Sequence, residues 1–496
     1  MRVGKLAVLG ITALGLALAG PQDNSLIIGA SQEPRVLAGD FLSVISNQAI
    51  KSEIENYLFA PLIVFNADAE NQAVMVTEVP TLQNKRLRVT DIGGGKKRIE
   101  MDLTLRQDLK WSDGKPITTE DIAFYYEVGK AKGMPVLNPD YWERVKLTVK
   151  DRYNFTVTFE PAYYYDTYGS PLRDAPKHIM GPEWEKVKAQ AAKLDPDKDA
   201  EKLNELYRGF FLKFSTPQAL NRGAMVYSGP FRLSRWVPGN SIEMVRNPNF
   251  HIIPQGGADK YVQKVAYRFI QNTNSLLVAV IGGGIDATSS VSLTFDQARS
   301  RQLTSRAPGR FDIWFVPGAI WEHIDINKFS NCQTVKDLGL DDPRTRQALL
   351  YAMNREGLVK AFFDGLQPVA HTWIAPVNPL HNPNLKKYPY DPKKAEELLA
   401  QMGWRKGPDG ILQRTVGGRT VRFEIEYVTT AGNAIRERTQ QFFAENLKQV
   451  GIAIKINNAP SAVVFADDFI QRASECKWTG MFEFAWVASL AEDGSL

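Results

Sequence analysis

Arg98 to Glu127, RIEMDLTLRQDLKWSDGKPITTEDIAFYYE, is the most densely specified stretch of this chain, and it reads as strand, turn and capped helix. Ile99, Met101, Leu103 and Leu105 recur at every second residue, so an extended segment turns one apolar face inward and sets Arg98, Glu100, Asp102 and Thr104 on the other. Asp113-Gly114 is a tight-turn pair, and Pro116 stops the strand from running straight on. Thr118 and Asp121 stand three apart, the spacing at which a threonine hydroxyl caps a helix and the carboxylate bonds back. A helix is therefore predicted from here, with Ile122, Tyr125 and Tyr126 on its buried face. Trp111 is expected to be a packed aromatic.

Downstream the local signals are equally clear. Asp342-Pro343 and Asp391-Pro392 each place a cap before a proline suited to the first helical turn, Asn354 can cap a third helix, and Gly365 and Gly403 end helices. Val421, Phe423, Ile425 and Tyr427 predict one strand, Ala434 to Val450 an amphipathic helix, and Ile452, Ile454 and Ile456 a second strand. That βαβ order requires a partly parallel sheet. Upstream, Leu26 to Ala30 reads as a strand, and Ile54 to Phe65 as helix then strand. Pro135 to Tyr141 reads as a loop, Val145 to Phe159 as two strands, and Lys186 to Leu212 as surface helices. Tyr227 to Phe250 is a hairpin turning at Pro238-Gly239-Asn240. Tyr261 to Ile270 is a strand, and Thr273 to Ile281 a helix ended by Gly282-Gly283-Gly284.

At 496 residues the chain exceeds one core and predicts two or three domains. With 44% hydrophobic and 23% charged residues it is neither disordered nor fibrous, and a net charge of +5 without a basic tract gives no case for nucleic acid. Arg2 and Lys5 precede an apolar run from Leu6 to Leu18, with small residues at Ala17-Leu18-Ala19, so residues 1–19 read as an export signal. Pro21 stands where a lipoprotein would carry its acylated cysteine, which predicts a free periplasmic protein, not a lipid-anchored one. After export Cys332 and Cys476 meet an oxidising compartment; one disulfide and two buried thiols both fit.

No catalytic constellation is present: no HExxH, CxxC, G-x-S-x-G or phosphate-binding loop, with Gly93-Gly94-Gly95-Lys96 reading as a turn. His178, His251, His323, His371 and His381 are scattered singly, and carboxylate pairs such as Asp341-Asp342 and Asp467-Asp468 suit capping and solvation. No metal or cofactor is implied. Tyr163, Tyr164, Tyr165 and Tyr168 fall together, either as packing beside a turn or as a wall for a flexible ligand.

The run LKWSDGKPITTEDIAFYYE, the hairpin YSGPFRLSRWVPGNSIEMVRNPNF, Ile285-Asp286-Ala287, and the ordered series DDPRTRQALLYAMNREGL, YDPKKAEELLAQMGW and FFAENLKQVGIAIKI resemble the family 5 extracellular solute-binding proteins. These are the dipeptide- and oligopeptide-binding receptors of bacterial ABC importers. The resemblance runs from about Leu26 to Leu496 and implies an α/β, two-lobed periplasmic-binding-protein-like fold (type II, large peptide-receptor subclass), with mixed sheets and a ligand cleft between lobes. It implies lobe I over residues 20–271 with an inserted subdomain at about 56–195, lobe II over 272–484, and at 485–496 the start of a return to lobe I that stops short. Ser31 to Gly39 would lie near the cleft.

By the same resemblance FEFAWVASLAEDGSL corresponds to the family's segment in which an aspartate pairs with the peptide's amino group just after a tryptophan. Trp486 matches the tryptophan, but Ser489 stands at the aspartate, so Glu483 or Glu492 would have to supply the charge. Tyr141, Trp142, Tyr164, Trp321 and Trp486 are candidate aromatic contacts, with core packing the competing reading for each. The implied function is a monomeric, non-enzymatic receptor that takes peptides and presents them to ABC permease subunits. An oligosaccharide receptor, a periplasmic hydrolase and a non-functional fragment are the rival readings.

Overall fold

The computed structural model describes residues 24–65, 70–167, 170–253, 256–257, 260–306, 308–309, 313, 318, 320–378, 381–466 and 469–487. The first lobe is built on a five-stranded mixed sheet. Strand Ser25–Ala30 pairs in parallel with Lys264–Phe269 on one side and with Ala287–Thr288 on the other. The predicted hairpin, Phe231–Val237 and Ser241–Arg246, extends the sheet in antiparallel fashion.

Beside it stands the inserted subdomain, a four-stranded antiparallel sheet in which Lys96–Thr104 lies between Leu87–Gly93 and Asn154–Ala162. Ile99, Met101 and Leu103 point inward as their alternation demands, and Trp111 is fully buried. Gly114 adopts φ +88° at the turn, a conformation costly for any residue with a Cβ. Thr118 and Asp121 form the reciprocal cap of helix Thr119–Gly129, with the Thr118 N–H donating to Asp121 at 3.0 Å. Both sheets share one continuous apolar core.

The second lobe carries a four-stranded sheet in the order Ile320–Ile326, Met481–Val487, Glu424–Val428, Ala453–Ile456. The last two strands are parallel and joined by helix Ala434–Gln449, the expected βαβ unit. Asp342, Asn354 and Asp391 accept backbone N–H bonds of 2.8–2.9 Å at the starts of three helices, which pack on this sheet's core. Cys332 and Cys476 are joined as a disulfide with Cα atoms 5.5 Å apart. Among the described residues no helix is long and apolar enough to cross a membrane.

Four expectations need correction. The single strand predicted over Val421 to Tyr427 breaks at Phe423: Arg419–Arg422 joins a separate three-stranded sheet and Glu424–Val428 the main one, because the Phe423 N–H bonds Leu412 while its ring packs on Trp404. Helix Pro139–Arg144 begins inside the expected loop, capped by Asn138, whose side chain accepts from the Tyr141 N–H at 3.1 Å. The helices around Lys186 to Leu212 are not merely surface elements, since Trp184, Tyr207, Phe210 and Phe211 are buried. The chain does not leave the first lobe near Gln271. Helix Thr273–Ile281 packs its Leu277 and Val280 against Ile27, and Ala287–Thr288 completes the first sheet.

Candidate functional site

Strand Ile320–Ile326 runs antiparallel to Met481–Val487 in a register that sets Trp321 opposite Trp486 and His323 opposite Phe484. Cross-strand partners point to the same face. Two tryptophans far apart in sequence are thus brought side by side. The rings form a ladder: Trp321 stacks on His323 with centroids 3.9 Å apart, His323 meets Phe484 edge-on at 4.2 Å, and Phe484 meets Trp486 at 6.2 Å. Phe482, Phe484 and Val464 anchor the ladder in a small apolar cluster with Phe465.

Val428 pairs with Phe482, and the chain then leaves the sheet into the loop 429–433, so the strand carrying Phe484 and Trp486 extends past that edge toward the first lobe. There the lobes touch. The Thr273 N–H donates to the Gly432 carbonyl at 3.1 Å, and the Ala434 N–H to Thr273 Oγ1 at 3.3 Å. Gly432 has φ +81°, and a Cβ on it would stand 3.0 Å from the Gln271 carbonyl, so only glycine fits. Ser46 and Ala466 form a further bridge between lobes. A small crevice of about 10 Å³ lies at this joint, lined by Ser31, Gln32, Gln271, Thr430, Ala431, Asn433 and Ser461. Helix Ser461–Val464 links it to the ring ladder, Ser461 facing the crevice and Val464 the rings.

The opposite face of the same strands carries a polar cluster in which Glu483 and Arg436 are buried and Glu322 is half exposed. Glu483 is 2% exposed and accepts from the Tyr427 hydroxyl at 2.7 Å. Burial, reinforced by Glu322, holds its pKa well above the ordinary carboxylate value. Arg436, also buried, donates to both oxygens of Glu322 at 2.7 and 3.1 Å and to Thr430 Oγ1 at 2.8 Å, tying the strand beside Trp321 to the crevice loop. On the ladder face, burial lowers the His323 pKa to about 4 against a smaller opposing pull from the Trp321 backbone. The imidazole is therefore neutral at physiological pH. Among the described residues its Nδ1 and Trp321 Nε1, both buried, meet no partner of normal hydrogen-bond geometry.

Of the residues singled out from sequence, Trp321 and Trp486 come together here. Glu483 does not join them: it lies three residues from Trp486, an odd number, which on a strand means the other face. Trp142 is buried in the first lobe's core, its ring against Tyr125 and Gly129, and Tyr141 packs on Trp142 and Phe159 with its hydroxyl donating to the Pro171 carbonyl. Tyr164 begins a short 3-10 helix, with its side chain outside the described residues; Ser489 and Glu492 also lie outside them. Tyr163 lies under the Arg144 guanidinium at 4.0 Å. Ser31 and Gln32, in the stretch expected near the cleft, line the crevice. Sequence reasoning missed His323 and Arg436. Alternation with Trp321 was the available signal for the first; nothing local marks the second.

The sequence profile of the bacterial extracellular solute-binding proteins, family 5 Middle, matches residues 99–495. The chain belongs to this family. A crystal structure of an oligopeptide binding protein from Thermus thermophilus, complexed with a pentapeptide, is 83% identical with a TM-score of 0.95, covering 96% of this chain and 79% of that one. The oligopeptide-binding protein AppA of Bacillus subtilis is 24% identical over 88% of this chain and 69% of its own length. A probable ABC transporter-binding protein of Deinococcus radiodurans is 26% identical over 73% of this chain and 58% of its own. The chain thus spans between about half and two thirds of the length of such curated relatives, and the family 5 assignment rests on the profile and the two-lobed fold.

Proposed function

We propose that this family 5 protein is the substrate-binding receptor of an ABC importer, capturing peptides between its lobes and presenting them to a membrane permease. The observation that carries the ligand class is its 83% identity to the Thermus oligopeptide binding protein complexed with a pentapeptide. The joint supports the same reading. Hydroxyl and amide side chains of both lobes meet at the joint, and the paired tryptophans Trp321 and Trp486 are the aromatic ligand contacts of this reading. Binding that favours the closed lobes over the open ones is the mechanism, since a ligand shifts an equilibrium only by its differential affinity. The mature protein acts outside the cytoplasm as a soluble monomer, released from its N-terminal signal and not lipid-anchored. The lobes are residues 20 to about 306 and about 320 to 487.

Thermal unfolding with defined pentapeptides tests this. A ligand at about 100 times its Kd stabilises by about 2.7 kcal/mol, a readily measured rise in Tm. No shift with any peptide, together with a shift from oligosaccharides, replaces peptides by sugars. New products after incubation with peptide or glycan pools would reassign the protein as a hydrolase.

A further inference from the structure

Each buried apolar cluster among the described residues draws its core from one lobe, so the lobes are held together by contacts at their surfaces. The most elaborate of these is charged. Helix Phe295–Arg299 is fixed to the first lobe by Gln297, whose Nε2 donates to Asn274 Oδ1 at 2.7 Å and to Thr273 Oγ1 at 3.2 Å. From this helix Asp296 accepts from Arg438 at 2.7 Å, and Arg299 donates to Asp364 at 2.5 Å. Arg438 lies on helix Ala434–Gln449 and Asp364 follows helix Arg355–Phe363, both in the second lobe. Beside the two pairs the Phe295 ring meets Phe363 at 5.8 Å, and the Arg438 guanidinium covers the Phe362 ring at 4.3 Å.

Asp296 and Arg299 stand three apart, on one helix face, so each lobe supplies one acid and one base. Sliding one lobe along the other would set like charges together, and the pairs therefore select one registration. All four side chains are between 29% and 67% exposed, so parting them leaves hydrated charges and no buried one. We propose that Asp296–Arg438 and Arg299–Asp364 are a two-point electrostatic latch that favours closed lobes before any ligand is bound and lets go when the lobes part. An exposed pair shifts an equilibrium by up to about 5-fold and weakens with salt, a strength suited to a reversible contact. The latch touches protein on both sides, so its contribution is the same for every ligand that needs closed lobes. Only that effect on affinity rests on the receptor reading.

Amide hydrogen exchange of the full chain without ligand tests it. The N–H groups of Thr273 and Ala434 open their helices, where no intrahelical acceptor exists, and both donate across the joint, so their protection reports closure. Arg299→Gln with Arg438→Gln is expected to speed exchange at both by about 5-fold or more, and raising salt from about 50 to 500 mM to act in the same direction on the parent but not on the variant. The Phe423 N–H, bonded to Leu412 within one lobe, is expected to be unchanged. A change below about 2-fold at Thr273 and Ala434, or an equal rise at Phe423, would overturn the latch. Asp296→Arg with Arg438→Asp is expected to regain about half or more of the protection lost in Arg438→Asp alone, and no recovery would overturn the pairing. Calorimetric titration with pentapeptides is expected to show affinity lowered in the double Gln variant by one common factor. Factors that differ from peptide to peptide would make these arginines ligand contacts and end the proposal. Failure of every pentapeptide to bind the parent would remove the peptide reading and leave the exchange result to decide the latch.

Discussion

Each lobe buries a cation between two carboxylates, and the two clusters behave differently. In the first lobe Lys51 lies between Asp40 and Glu55, all three less than 5% exposed. Asp40 accepts N–H bonds from Val44, Ile45 and Ser46, Glu55 accepts from Ala38, and Lys51 also bonds the Asp40 carbonyl at 2.9 Å. The knot is closed and its further partners are main chain together with the Ser43 hydroxyl, so it fixes the loop leading to Ser46. In the second lobe Arg436 is buried but Glu322 is 45% exposed, and Glu483, its pKa pushed up by burial, accepts from the Tyr427 hydroxyl. That cluster opens at the lobe joint. A closed charge cluster holds a segment in one shape, whereas one with a hydrated member can tolerate the lobes moving.

The comparison can be broken most forcefully at Lys51. Lys51→Met leaves two carboxylates in the core and is expected to cost about 4 kcal/mol in urea unfolding. A loss below about 1 kcal/mol would show that the knot is not structural. A smaller effect of opposite sign is expected from Asp174→Asn. Burial raises Asp174 from 3.8 to about 6, with Ser228 opposing and Asp121 adding, and its Oδ2 has no partner among the described residues.

A carboxyl whose folded pKa lies above its unfolded one binds protons more readily when folded. Its penalty is therefore full above about pH 6 and disappears as the pH falls through 6 toward 4. The variant should be more stable than the parent by about 2 kcal/mol at pH 7.5 and equal to it near pH 4. Melting curves at both pH values check this, and a pH-independent difference would discard it. His323 works the other way: with its folded pKa lowered from 6.5 to about 4, its contribution is lost as the pH falls through that window.

The smallest stability change is expected at Arg436→Met, about 1–2 kcal/mol, because the half-exposed Glu322 can rehydrate. Its larger effect should fall on ligand affinity, through the Thr430 loop. If Arg436→Met and Lys51→Met cost the same stability and neither changes affinity in the folded fraction, the two clusters do not differ in the way described.

Much of the fold was legible in local chemistry: the alternation of Ile99, Met101 and Leu103, the Thr118–Asp121 cap, and the Asp-Pro starts at Asp342 and Asp391 are each decided by residues within a few positions of one another. Even the failure of Glu483 as a partner for Trp486 was available from strand parity. The site was less legible. Phe423 ends one strand and begins another because of Leu412 and Trp404, and Trp142 stood open between ligand contact and core packing until Gly129 and Tyr125 were seen around it.

By itself the sequence determined most of the strands and helices, several of their caps, and through its ordered motifs the family to which they belong. Only the tertiary structure decided that Trp321 meets Trp486, that Cys332 reaches Cys476, and that Gln271 and Thr430 face one crevice. The reason is physical: local pattern sets which face of an element is apolar, whereas the register between elements distant in the chain is selected by the fit of whole surfaces.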